Sequence, residues 1–152
     1  MRQLIYILLL ILGISCGCTG KELNPPIYAI KISNQTELNF LNYNNEFKLY
    51  SKPRLNKNGV IYKIEGYDDM NFSGIDPVDI KLSKNKNYLK MDHISKGYVE
   101  LSDKDSILHE NYQCVIISIK DSKVVWYGVE MCDGEWKGNQ WISNDQIQFE
   151  GK

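Results

Sequence analysis

Four cysteines, Cys16, Cys18, Cys114 and Cys132, and two histidines, His93 and His109, are the side chains in this 152-residue chain best suited to nucleophilic or metal chemistry. A cysteine attacks as the thiolate and needs a histidine partner to take its proton, which would draw Cys114 together with His93 or His109. No two of these three stand at the short spacing that metal clusters show, so both histidines are expected in turns or on exposed strand edges. A second pattern, "DMNFSG", sets the oxygen-bearing side chains of Asp69, Asn71 and Ser73 at alternate positions ahead of Gly74, an arrangement that can wrap a hard cation while glycine makes the sharp turn. Residues of these types also favour plain turns, and a polar turn is the expectation here. The chain has no G-x-S-x-G, no phosphate-binding glycine loop and no paired-carboxylate signature. The sequence therefore predicts no catalytic residue, no metal site and no cofactor.

The run Asp69 to Gly74 resembles the first half of an EF-hand-type calcium loop, but the position of the closing bidentate Glu is Ile80, with Asp79 the nearest carboxylate. A different resemblance concerns the N-terminus. Met1, Arg2 and Gln3 precede Leu4 to Leu12, a run whose polarity is limited to the hydroxyl of Tyr6 and which ends in Gly13, Ile14 and Ser15. A spanning helix needs about 20 apolar residues, and this run has about half that, the layout of a cleavable export leader. Leu12-Gly13-Ile14-Ser15-Cys16 resembles the lipobox of bacterial lipoproteins, with Gly13 where that family usually has Leu. The resemblance implies cleavage before a lipidated cysteine and attachment of the mature chain to a bacterial cell-envelope membrane. Cys16 lies nearer the apolar run and is taken as the anchor. Cys18 is the alternative, and it would leave an even pair of thiols, Cys114 and Cys132. Two or more acyl chains hold a protein stably at a bilayer, each buried methylene contributing about 0.8 kcal/mol, so the domain needs no greasy surface for attachment.

The reading divides the chain into a leader over residues 1–15, a lipidated tether over 16–26 and one β-rich domain over 27–152. With 18 Lys plus Arg against 19 Asp plus Glu in the whole chain, loss of Arg2 with the leader leaves 17 against 19. That near-neutral balance gives no electrostatic reason to bind nucleic acid.

Within the domain, Tyr28, Ile30 and Ile32 share one face of a first strand. The Asn-rich stretch from Asn34 to Phe47 is read as loop or a short helical segment, with Asn34 and Glu37 as a possible cap. Beyond Gly59 the period is two: Val60, Tyr62 and Ile64, then Val78, Ile80 and Leu82, then Val99 and Leu101, each set forming a buried strand face. The C-terminal third reads as a four-strand antiparallel meander, 112–120, 123–132, 135–142 and 146–150, because Asp121-Ser122, Asp133-Gly134 and Ser143-Asn144-Asp145 are turn signals. A mainly β fold follows, an antiparallel sandwich or a barrel-like closure. In that register Cys114 faces Val129, and a bulge would still leave Cys132 diagonal at about 7–8 Å, beyond the usual reach of a disulfide, so two buried free thiols are expected. Trp126, Tyr127, Trp136 and Trp141 crowd the same hairpins. A binding platform or cross-strand packing would each use them, and packing, with Trp126 facing Trp141 and Met131 facing Trp136, is preferred. "NYQC", Asn111 to Cys114, resembles the tyrosine corner of immunoglobulin-type domains, although this chain has no cysteine between Cys18 and Cys114 to complete that family's pair.

The function expected on this basis is a lipid-anchored envelope protein that binds a partner, such as another protein, without catalysis. The alternative is a small envelope hydrolase or metal-dependent enzyme of unrecognised type.

Overall fold

The computed structural model describes residues 26–74, 80–129 and 132–152. The leader, the anchor cysteines, Val78 and Met131 lie outside them. Within the described residues every regular element is a strand: β1 (Tyr28–Lys31), β2 (Thr36–Asn44), β3 (Leu49–Lys57), β4 (Val60–Lys63), β5 (Phe72–Ser73), β6 (Lys81–Leu82), β7 (Tyr88–Ser102), β8 (Asp105–Ser118), β9 (Lys123–Gly128), β10 (Glu135–Lys137), β11 (Gln140–Ser143) and β12 (Gln146–Glu150). The first nine form one antiparallel sheet in the order β1-β2-β3-β5-β7-β8-β9, with β4 on β3 and β6 on β7, and the last three form a small sheet of their own.

The large sheet curls around one core. Alternate residues of its strands point inward, so Leu38, Phe40, Leu55, Leu89, Met91, Val115 and Ile117 pack together with Ile64 and Tyr67. Curling brings β9 to the segment after β4, where Glu65 donates its N–H to Ser122 O and accepts from Val124 N–H, both at 2.8 Å. This single parallel bridge ties the two regions without closing a barrel. The small sheet covers the outer face of β6–β8: Trp136 Nε1–H donates to Lys81 O at 3.1 Å, Tyr88 meets Phe149 edge to face at 5.1 Å, and Lys90 Nζ sits 5.7 Å from the Trp141 ring.

Turn chemistry fixes several hairpins. Asn58-Gly59 between β3 and β4 and Asn144-Asp145 between β11 and β12 both have two successive positive φ angles, the geometry whose twist matches that of paired strands.

The mainly β, antiparallel reading holds, and β1 buries the expected side. Three local expectations do not. The Asn-rich stretch is strand β2, because pairing with β1 on one side and β3 on the other satisfies its backbone and outweighs the preference of Asn for turns. Strand β3 is obscured in sequence by Pro53, which stands beside Lys52, a left-handed residue (φ 55°) that interrupts the ladder. Val60 and Tyr62 are exposed on β4, which pairs with β3 at the sheet margin, while Ile64 beyond the strand is buried. The four-strand meander is divided: β8 and β9 belong to the large sheet and only β10–β12 form a meander, so Trp141 pairs with Trp136 rather than Trp126.

Candidate functional site

His93 stands on the core side of β7, opposite Gln113 of β8, and is only 6% exposed. Asn71 Nδ2 lies 2.9 Å from its Nε2, and Gln113 Oε1 lies 3.2 Å from its Nδ1. With the amides in these orientations, Asn71 donates and Gln113 accepts, which places the ring proton on Nδ1 and keeps the imidazole neutral. Burial, partly opposed by the Gln113 hydrogen bond and the charge of Asp68, pushes the pKa of His93 below its ordinary value. The rings of Tyr67 and Tyr127 close on the imidazole edge to face at 4.7 and 5.8 Å. Tyr67 O–H donates to Phe72 O at 3.1 Å, and burial pushes its pKa far up, so it stays a donor. Both ring nitrogens of His93 are engaged, and the cluster acts as a polar rivet between β5, β7 and β8. The expectation of an exposed or turn histidine is overturned for His93, because Tyr67 and Asn71 arrive from the loop before β5 to cover it. It is met by His109, which stands exposed opposite Gly97.

The residues of the half calcium loop do not converge. Arg54 grips Asp69 with two parallel hydrogen bonds, 2.7 and 2.8 Å, and Lys63 Nζ lies 3.3 Å away, so the carboxylate is neutralised by cations and held below its ordinary pKa, chiefly by the Arg54 hydrogen bond. Asn71 turns to His93, and Ser73 is buried on β5. No cluster of three or more His, Cys, Asp or Glu side chains forms among the described residues.

Cys114 and Cys132 are joined in a disulfide with Cα atoms 4.9 Å apart, which corrects the reading of two free thiols. The sequence argument carried one strand from Lys123 through to Cys132. In the structure β9 ends at Gly128, and the ladder gains an extra residue where Ile117 pairs with Val124 but Ile116 with Trp126. Cys114 therefore faces Gly128, and Cys132, released from the pleat, reaches it. The bond removes Cys114 as a nucleophile. Tyr112 O–H donates to the Glu110 carboxylate at 3.1 Å, within its own strand, so no tyrosine corner forms.

Beside the disulfide, the small sheet and β8–β9 enclose a cavity of about 310 Å³. Its walls are Trp126, Trp141 and a row of neutral polar side chains, Ser143, Asn144, Gln146 and Gln148. The tryptophans were visible in sequence, but the glutamines were not, since only the β11–β12 hairpin brings them against β9.

Beyond the His93–Gln113 pair, β7 and β8 continue as a two-stranded arm, with β7 held laterally by β5 only at Ile94 and β9 pairing only with Cys114 to Ser118. Val99 and Ile107 face each other on it and are 46% and 52% exposed, and Leu101 is 63% exposed, so the buried face expected at Val99 and Leu101 is instead open to solvent. On the other side of the arm, Phe47 lies against Tyr98 at 6.2 Å and beneath Lys96, which pairs with Glu110. No protein-family model, no curated protein and no solved structure matches the chain, so its function is argued from this geometry.

Proposed function

We propose that this protein is a lipid-anchored component of a bacterial cell envelope that recognises a protein partner, without catalysis, through the β7–β8 arm. One observation carries the reading: the arm exposes Val99 and Ile107 on one face, Tyr98 and Leu108 on the other and Leu101 beyond them, on a ribbon whose strand edges pair with no other described residue near the tip. Contiguous apolar surface marks an interaction site, and a free strand edge offers main-chain hydrogen bonds to an added strand. A two-stranded ribbon is marginal in water by itself, so a partner that pairs with it also completes it. The occupied hydrogen bonds of His93, the cation-bound Asp69 and the oxidised Cys114 support a binding role, since none has a free group placed to act on a substrate. The Leu12 to Cys16 lipobox resemblance supports the anchor, with Cys16 as the lipidated residue.

Site-specific photo-crosslinking in cells tests the arm. A photoreactive side chain at Val99 is expected to give a discrete adduct that the same probe at exposed Val60 does not give, and identical adduct patterns at both sites would sink the reading. Metabolic labelling with a clickable fatty acid tests the anchor, with Cys16→Ala expected to abolish incorporation. Labelling that survives Cys16→Ala and Cys18→Ala together would remove it.

A further inference from the structure

We infer that the cavity between the two sheets binds an uncharged, hydroxyl-bearing ring of the kind a neutral saccharide presents. This site is separate from the arm and does not depend on it. Two tryptophans bound it, and each owes its position to a glycine. Trp126 lies along β9 over Gly128, where a Cβ would collide with the far edge of the indole, 2.9 Å from Cζ3 and closer still to Cη2. A larger residue would lift the ring off the strand. Trp141 is held in the same way by Gly134, where a Cβ would come within 2.8 Å of Cζ2 and would also strike the carbonyl oxygen of Ile142. Trp141 is 1% exposed and forms the back wall, whereas Trp126 is half-buried and offers an open indole surface. The face of an indole is electron-rich and attracts the weakly positive C–H groups of an aliphatic ring laid upon it.

The β11–β12 hairpin, which also carries Trp141, gives the polarity of the ligand. Among the described residues none of the lining side chains is charged, so they offer neither an anion nor a cation a counter-charge. Ser143, Asn144, Gln146 and Gln148 supply hydroxyl and amide groups, which donate and accept together as vicinal hydroxyls require. Gln148 Nε2–H donates to Ser143 O at 3.4 Å, which leaves its side-chain oxygen as an acceptor. Asn144 and Gln146 make no side-chain hydrogen bond to another described residue. Asn144 is fixed at the rim by the left-handed turn with Asp145, at φ 50° and 57°. The disulfide ties Cys132, three residues before β10, to Cys114 at the cavity wall, so the small sheet is covalently linked to β8. At about 310 Å³ the space lies at the lower end of ligand pockets, which limits the occupant to a small sugar unit.

The test uses the full chain in a detergent without a sugar headgroup, titrated with chitobiose, cellobiose and maltose to about 10 mM while tryptophan emission is recorded. At least one neutral disaccharide should give a saturable change, and a disaccharide carrying a uronic acid should not. Trp126→Ala should weaken binding by about tenfold or more, Trp126→Phe should retain most of it, and Trp136→Phe, outside the cavity, should leave it unchanged. Circular dichroism reports whether each variant folds. Should Trp126→Ala fail to fold, Gly128→Ala is read in its place, and it should weaken binding by displacing the indole. Absence of saturation with every probe, equal binding of the charged disaccharide, or unchanged affinity in the folded variant would each overturn the inference.

Discussion

At its base the β7–β8 ribbon buries Leu89 and Met91 against Val115 and Ile117 with no exposed surface, while farther along the same two strands Val99 and Ile107 remain about half exposed. The alternation is alike in both halves. What differs is the company: the base has β6 and β9 at its edges, the core on one face and the small sheet on the other, and the tip has none of these. Burial is worth about 25 cal/mol for each Å² of apolar surface, so the base contributes heavily to stability and the tip hardly at all until something covers it. The boundary between them is built with care. His93 pairs with Gln113 on the core face, and the next pair inward, Asp92 with Cys114, carries the disulfide on the other. An apolar strand face is thus a statement about burial only where a second layer exists to receive it.

The contrast can be broken most severely at the base. Leu89→Ala is expected to cost about 2–5 kcal/mol in urea unfolding, because the fully packed site cannot collapse around the space left. A loss below about 1 kcal/mol would mean that the base is not the packed half. Next comes the boundary. Replacing Cys114 and Cys132 together by Ser should cost about 3 kcal/mol, the loop-closure value for cysteines 18 apart in sequence, and should lower the midpoint of thermal unfolding. An unchanged midpoint would show that the bond does not constrain this junction.

A smaller effect should appear with pH. His93 is held below its ordinary pKa of 6.5 in the folded chain, so as pH falls the unfolded chain takes up this proton first. The contribution of His93 is therefore complete above pH 6.5 and is lost as pH falls through the lower folded value. His93→Gln should flatten this limb in unfolding series between pH 8 and pH 5, and an equally steep limb in the variant would remove His93 as its source. Least of all should happen to stability at the tip. Leu101→Ser with Ile107→Ser is expected to shift unfolding by under about 0.5 kcal/mol while abolishing the adduct formed by the probe at Val99. A large destabilisation with the adduct intact would invert the comparison.

Much of the strand content was legible because side chains alternate with period two, as in Tyr28, Ile30 and Ile32, and because Asn144-Asp145 spells a tight turn. The Asn-rich strand β2 was hidden, since Asn carries no apolar periodicity and its ladder partners on β1 and β3 supply what its own preference does not. The candidate sites were less legible still. Trp126 and Trp141 were seen as a cluster, but each was assigned to the other's ladder; Gly128, two residues after Trp126, was the available signal that an indole lies flat along the strand. The rivet at His93 had no local signature, because Asn71 and Gln113 lie about twenty residues away on either side.

By itself the sequence determined that this is an antiparallel β protein with tight turns at Asp121-Ser122 and Asn144-Asp145, and that its N-terminus resembles a lipoprotein leader, because periodicity and turn chemistry are local properties of a chain. Only the tertiary structure decided which apolar faces are covered, that Cys132 reaches Cys114, that His93 is enclosed and neutral, and that two indoles and a row of amides line one cavity. Those outcomes depend on which strands become neighbours and where each ladder ends. A one-residue change of register reverses the face of every side chain beyond it, so they are set by the packing of the whole sheet.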